Sequence, residues 1–202
     1  MENINSQTLE LFKSIENGSA TKESIHSLLK DGADINGINN KGYTPLLEAV
    51  YKDNITGIEI LLDSGADLEI VNYAHRTPLM ECVMENKMEL IELLLNKGAN
   101  IEACDSEDRI TSLLWVASTG QPDLVELLLK RGANPEAIDS DGLSSLMWAI
   151  RRDDVKTSEV LLRYGANINV GTIAGLSPLK WATRGRVDDM VKLLIEYNAS
   201  LE

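Results

Sequence analysis

Aromatic residues are scarce in this chain of 202 residues, which has one Phe, three Trp and five Tyr. That excludes a core organised around large rings. The hydrophobic share of 44% is mostly aliphatic, which suits helices stacked at short distance. Positive charge is also in short supply: 19 Lys and Arg face 32 Asp and Glu, for a formal net charge of −13. Residues 1–102 hold 8 basic and 17 acidic side chains, and residues 103–202 hold 11 and 15. Wrapping nucleic acid needs a cationic surface to neutralise phosphate, so no nucleic-acid partner is expected. A protein partner with a basic region fits the charge better.

Cysteine is limited to Cys82 and Cys104, too few for a disulfide framework, and the composition points to a reducing, cytoplasmic folding compartment. A bacterial effector exported by a specialised secretion system would have the same composition. No apolar run reaches membrane length, and the opening MENINSQTLELFK lacks the basic and apolar regions of a signal peptide, so no membrane association is expected. The two histidines, His26 and His75, stand far apart, and no Cys/His set has zinc spacing; neither metal nor cofactor is expected.

What the chain does have is a repeat. LLKDGADIN, LLDSGADLE, LLNKGANIE, LLKRGANPE and LLRYGANIN follow one another, with glycines at 32, 65, 98, 132 and 165, and LIEYNASLE ends the chain. A fixed period of this size marks stacked supersecondary units. Each unit opens on a hydroxyl residue followed by Pro or Ser: Thr44-Pro45, Thr77-Pro78, Thr111-Ser112, Ser144-Ser145 and Ser177-Pro178. A hydroxyl N-cap with proline at the first helical position predicts a helix start. A second, more apolar helix follows, closed by the glycine in its left-handed conformation. The residues after it are extended and rich in Asn, Asp and Gly, which predicts a hairpin-like finger.

The pattern Gly-x-Thr-Pro-Leu, short helix, Leu-rich helix, Gly-Ala-Asp/Asn resembles the ankyrin repeat over essentially the whole chain. The resemblance implies an all-α solenoid of helix-turn-helix units joined by finger loops. We read one domain of six units: 1–36 as an N-terminal cap, then 37–69, 70–102, 103–136, 137–169 and 170–202. The histidine that follows Thr-Pro-Leu in the family is absent, replaced by Leu47, Met80, Leu114, Met147 and Lys180, so apolar packing is expected to substitute for its hydrogen bonds. Unit four has an extra residue in CDSEDRITS, which predicts a bulged finger. The last unit has Asn198 for glycine and an apolar second helix, VDDMVKLLIEY. Terminal repeats normally turn a polar face outward. A longer array, a cover supplied by a partner or another copy, and simple exposure all fit.

In the family the first helices and the fingers line the usual binding surface. Advancing 100° per residue along the first helix of unit two puts Leu46, Ala49 and Val50 on the core side, with Glu48, Tyr51 and Lys52 opposite. The same column continues through Glu81 and Met84 to Trp115, Trp148 and Trp181, flanked by Arg151, Arg152, Arg184 and Arg186. A tryptophan ridge beside arginines has the composition of an interface hot spot; its alternative is packing of the indoles on each other and on the helices. At the fingers, Tyr73 and His75 are further candidate contacts, beside Thr172, Ile173 and Ala174 on the last one.

No phosphate-cradling glycine loop is present, and an extended stack offers no enclosed pocket to perturb carboxylates. A non-enzymatic interaction module is therefore expected, either an adaptor or host-directed effector, or a stoichiometric inhibitor such as an immunity protein against a basic toxin. A structural or designed scaffold without a dedicated partner is the third reading. The oligomeric state expected is a monomer, or weak self-association through the C-terminal repeat.

Overall fold

The computed structural model describes residues 4–171, 175–185 and 187–199. These residues form twelve helices and, besides two isolated β-bridges, no strand. The chain divides into two compact units, Met1–Asn100 and Ile101–Glu202. Among the described residues no helix is long and apolar enough to cross a membrane.

The first unit contains three helix pairs: α1 (Ser6–Glu16) with α2 (Lys22–Lys30), α3 (Pro45–Tyr51) with α4 (Ile55–Asp63), and α5 (Pro78–Met84) with α6 (Met88–Asn96). The second unit repeats the plan with α7 (Ser112–Thr119) and α8 (Pro122–Lys130), α9 (Ser145–Arg151) and α10 (Val155–Arg163), and α11 (Pro178–Gly185) and α12 (Asp188–Glu196). Within each unit first helices pack on first helices and second on second, giving two helical layers.

Most of these helices have seven to nine residues, too short to persist alone, so caps and burial define them. Thr44, Thr77, Thr111 and Ser144 accept from the backbone N–H three residues on, at 3.2 to 3.4 Å. Pro45, Pro78, Pro122 and Pro178 stand at first helical positions, where the missing N–H costs nothing. Asn198 takes the left-handed conformation (φ 64°) that Gly165 takes one repeat earlier, as Asn tolerates it best after glycine.

Three kinds of tie join successive repeats inside a unit. Apolar side chains dominate: Leu46, Ala49, Leu61, Ile91 and Leu94 in the first unit, and Leu114, Val116, Val125, Leu128 and Leu194 in the second, are wholly buried. Side chains also reach back to first-helix carbonyls, Asn54 Nδ2 donating to Ile15 O at 3.0 Å and Lys87 Nζ to Val50 O at 2.9 Å. Those carbonyls lack helical partners.

The third tie is a ladder after the repeated glycine. The N–H of Asp67 donates to Asn36, that of Asn100 to Glu69, that of Asn134 to Glu102 and that of Asn167 to Glu136, at 2.7 to 2.9 Å. The Asp/Asn of Gly-Ala-Asp/Asn thus hangs on a side chain two residues past its own counterpart in the previous repeat.

Where the family carries histidine, Leu47, Met80, Leu114 and Met147 are between 0 and 6% exposed, so apolar packing takes its place at these four positions, whereas Lys180 at the fifth is half-buried. On α12, Ile195 is 58% exposed, whereas Leu129 and Leu162 at the same repeat position are 7% exposed. Truncating Leu114 to Ala should leave a cavity between helices and lower the unfolding free energy by about 3 kcal/mol. A urea titration followed by circular dichroism would read this as a lower midpoint; an unchanged midpoint would contradict the packing role.

Candidate functional site

Four fingers within the described residues are each organised by one Asx residue. Asn39 Oδ1 accepts the N–H of Lys41 and Tyr43, and the Asn39 N–H donates to Tyr43 O. Asn72 holds Ala74 and Arg76 in the same way, and Asp139 holds Asp141 and Leu143. In the fourth repeat Asp105 holds Asp108 and Ile110 instead, so the extra residue bulges the finger as expected. The Asp108 carbonyl then accepts the N–H of Ser140 in the next finger at 2.8 Å.

The other atom of that Asx side chain reaches the first helix nine residues on. Asn39 Nδ2 donates to Glu48 Oε2 at 3.3 Å, and Asn72 Nδ2 to Glu81 Oε1 at 2.7 Å. In the fifth repeat the polarity is reversed: Trp148 Nε1 donates to Asp139 Oδ2 at 2.8 Å. An amide donor thus pairs with a carboxylate in the first unit, and a carboxylate with an indole N–H in the second. The longer fourth finger puts Asp105 ten residues from Trp115, and Trp115 Nε1 is buried without a partner.

This corrects one expected contact. Glu48 is 0% exposed, turned toward the finger by Asn39, with Lys41 Nζ 3.8 Å from its second oxygen; it does not face outward. Glu81 is half-buried and spent on Asn72 and on Arg76, 3.7 Å away. The helical wheel could not show that the finger folds over this part of the column.

The remaining candidates are accessible. Tyr51 and Tyr73 are 62% and 67% exposed, His75 is exposed and Met84 half-buried. Tyr73 lies across Gly42 of the preceding finger, where a Cβ would meet the ring at 2.5 Å, so only glycine permits this stacking. His75 adopts the left-handed backbone (φ 56°) that Gly42 and Gly142 occupy in their fingers. In the same unit an open groove of about 890 Å³ runs along α1 and the first finger, lined by Leu9, Phe12, Lys13, Ile38 and Tyr73 among others.

In the second unit Trp115, Trp148 and Trp181 are all half-buried, neither sealed inside nor free. The Arg151 guanidinium lies over the Trp148 ring at 4.7 Å and the Trp181 ring at 5.8 Å, linking neighbouring repeats by cation–π contacts. Arg152 and Arg184 are exposed. Arg186, Thr172, Ile173 and Ala174 lie outside the described residues.

Among the described residues no cluster of His, Cys, Asp and Glu could hold a metal ion. Cys82 is buried, and desolvation pushes its thiol up to about 12, whereas Cys104 is exposed.

The family model for ankyrin repeats (3 copies) matches residues 11–105 and 113–202, and the chain belongs to the ankyrin-repeat family. It is similar to an ankyrin repeat domain from Acinetobacter baumannii, with 23% identity over 95% of this chain and 98% of that one and a TM-score of 0.80. It is also similar to the ankyrin repeat domain of Bcl-3, a member of the IkappaB protein family, with 25% identity, coverage of 94% and 86%, and a TM-score of 0.84. No curated protein matches the chain. Ankyrin repeats are in general protein–protein interaction modules and typically not enzymes.

Two tests follow from this geometry. Asp139→Asn sets an amide donor against the Trp148 N–H and should cost about 1 to 2 kcal/mol. Trp148→Glu on that background restores the Asn–Glu pair of the earlier repeats, so a double-mutant cycle in urea should show favourable coupling of about 1 kcal/mol; zero coupling would mean the two side chains act independently. A thiol reagent at mildly alkaline pH should modify Cys104 rapidly and Cys82 only on unfolding, because the thiolate is the reactive form. Equal rates measured by mass spectrometry would contradict the burial of Cys82.

Proposed function

We propose that this protein is a non-enzymatic binding module whose six repeats act as one domain and grip a protein partner through the first-helix layer and the fingers. The observation that carries this reading is the ridge of Trp115, Trp148 and Trp181, with Arg151 in cation–π range of two of the indoles. Half-exposed Trp and Arg fixed by neighbours are the side chains that dominate interface energies. Held in place beforehand, they lose little freedom on association. Trp148 contributes to stability as well, through Asp139, so contact and packing are two uses of one ridge.

The remaining contacts of the reading are Arg152, Arg184, Tyr51, Met84, Tyr73 and His75, with Glu81 contributing its half-exposed edge. The adaptor or host-directed effector role is favoured by a surface that changes from repeat to repeat. A second reading, a stoichiometric inhibitor of a basic toxin or enzyme, is supported by the first unit, where residues 1–100 hold 8 basic and 16 acidic side chains; such a surface would steer a cationic partner. A scaffold without a partner has no observation in its favour. The exposed Ile195 supports weak self-association, and the cytoplasm is the compartment we assign.

Trp181→Ala, whose loss removes no described hydrogen bond, should weaken capture of the partner by about 2 kcal/mol while leaving the melting temperature nearly unchanged. Affinity capture followed by calorimetry would measure both. A variant that melts lower but binds equally well would assign the ridge to packing. Blocking of an enzyme's activity by the captured complex would favour the inhibitor over the adaptor.

A further inference from the structure

The first helices of the second unit carry no carboxylate: α7 reads SLLWVAST, α9 SLMWAIR and α11 PLKWATRG. Their charged residues are Arg151, Lys180 and Arg184, and Arg152 caps α9. In the first unit, α3 and α5 carry Glu48 and Glu81 and no cation. The tryptophan face therefore has the opposite sign to the chain as a whole, whose net charge is −13.

Three acids of this unit already have partners. Asp139 accepts from Trp148 Nε1 and two backbone N–H groups. Asp154 accepts from the N–H and hydroxyl of Thr157 at 3.0 and 2.7 Å, and Asp189 pairs with Lys192 at 3.0 Å. Among the described residues Arg151, Arg152 and Arg184 enter no ion pair; the pairs formed involve other side chains. The Arg151 guanidinium lies near both indole rings and enters no ion pair among the described residues, which leaves its N–H groups to bind a carboxylate bidentately.

We propose that this face docks an acidic peptide segment of a protein partner. One carboxylate meets the N–H groups of Arg151, with the positive charge of Arg184 on the next first helix, and an adjacent apolar side chain lies on the exposed part of the Trp148 and Trp181 rings. The inference rests on the proposed function and adds the chemistry of the bound segment. It also gives the chain two selective surfaces of opposite sign, acidic in the first unit and cationic on this face of the second.

The test uses the full chain and labelled peptides carrying Glu-Leu-Glu, Gln-Leu-Gln or Lys-Leu-Lys between Ser-Gly flanks, read by fluorescence anisotropy and by quenching of tryptophan emission. The Glu peptide should bind, the Gln and Lys peptides about tenfold more weakly or worse, and added salt should weaken the Glu peptide most. Arg151→Gln and Arg151→Lys should each lose about tenfold, the lysine because it keeps charge without the bidentate edge. Arg184→Gln, which removes no stacking contact, keeps the test valid if the Arg151 variants melt early. Failure of the Glu peptide to bind, or tighter binding of a single-stranded oligothymidylate, overturns the inference. Equal binding of the Glu and Gln peptides, lost in Trp181→Ala, rejects the acidic segment while keeping the ridge as a binding face. Glu-peptide binding unaffected by Trp181→Ala and the arginine changes rejects the ridge itself.

Discussion

A helix of seven to nine residues cannot sustain itself in water, and a pair of them buries too little apolar surface to fold alone. Everything in each unit follows from that constraint. Every repeat must present apolar residues to the next, so Leu, Ile, Val, Ala and Met fill the buried positions of both helical layers. The polar devices then fix the register at which those faces meet. Lys87 and Asn54 take first-helix carbonyls of the preceding repeat, and the ladder after the glycine spaces the second helices.

The fingers obey the same economy with different chemistry. One Asx side chain closes the turn with one oxygen and fastens it to the helix with its other atom. When that atom is an amide nitrogen, the helix supplies Glu; when it is a carboxylate oxygen, the helix supplies Trp. Trp148, in the face proposed for binding, is thus tied to the finger chemistry. The one-residue insertion in the fourth repeat shows what the pairing contributes: Asp105 spends its oxygen within a longer loop, and the Trp115 N–H is left buried and unmatched. An unmatched buried donor is costly, and the bulged loop that causes it binds the neighbouring finger through Asp108 and Ser140.

In the recognition proposed above, the acidic surface and the cationic ridge would make different contributions. Distributed negative charge acts over about a Debye length and affects encounter. An arginine lying near two indoles would act at contact distance and select what stays bound. On that proposal, repeats that share one architecture would carry opposite preferences on the same backbone, because part of the first-helix circumference is free of core duties.

The period, the helix starts, the glycine and asparagine terminators, the bulged fourth finger and the apolar replacement of the histidine were all legible in the sequence. They depend on contacts within a few residues, or on a spacing that repeats. The column of Trp115, Trp148 and Trp181 was legible for the same reason, since helical geometry converts spacing into a face. What only the tertiary structure decided is which members of that column see solvent. Glu48 and Trp148 stand at the same repeat position, yet one is wholly buried and the other half-exposed, because exposure depends on how far each side chain extends past the finger folded against it. The partnership of Arg151 with two indoles likewise required neighbouring repeats to be brought within reach in space, a distance that spacing along the chain does not encode.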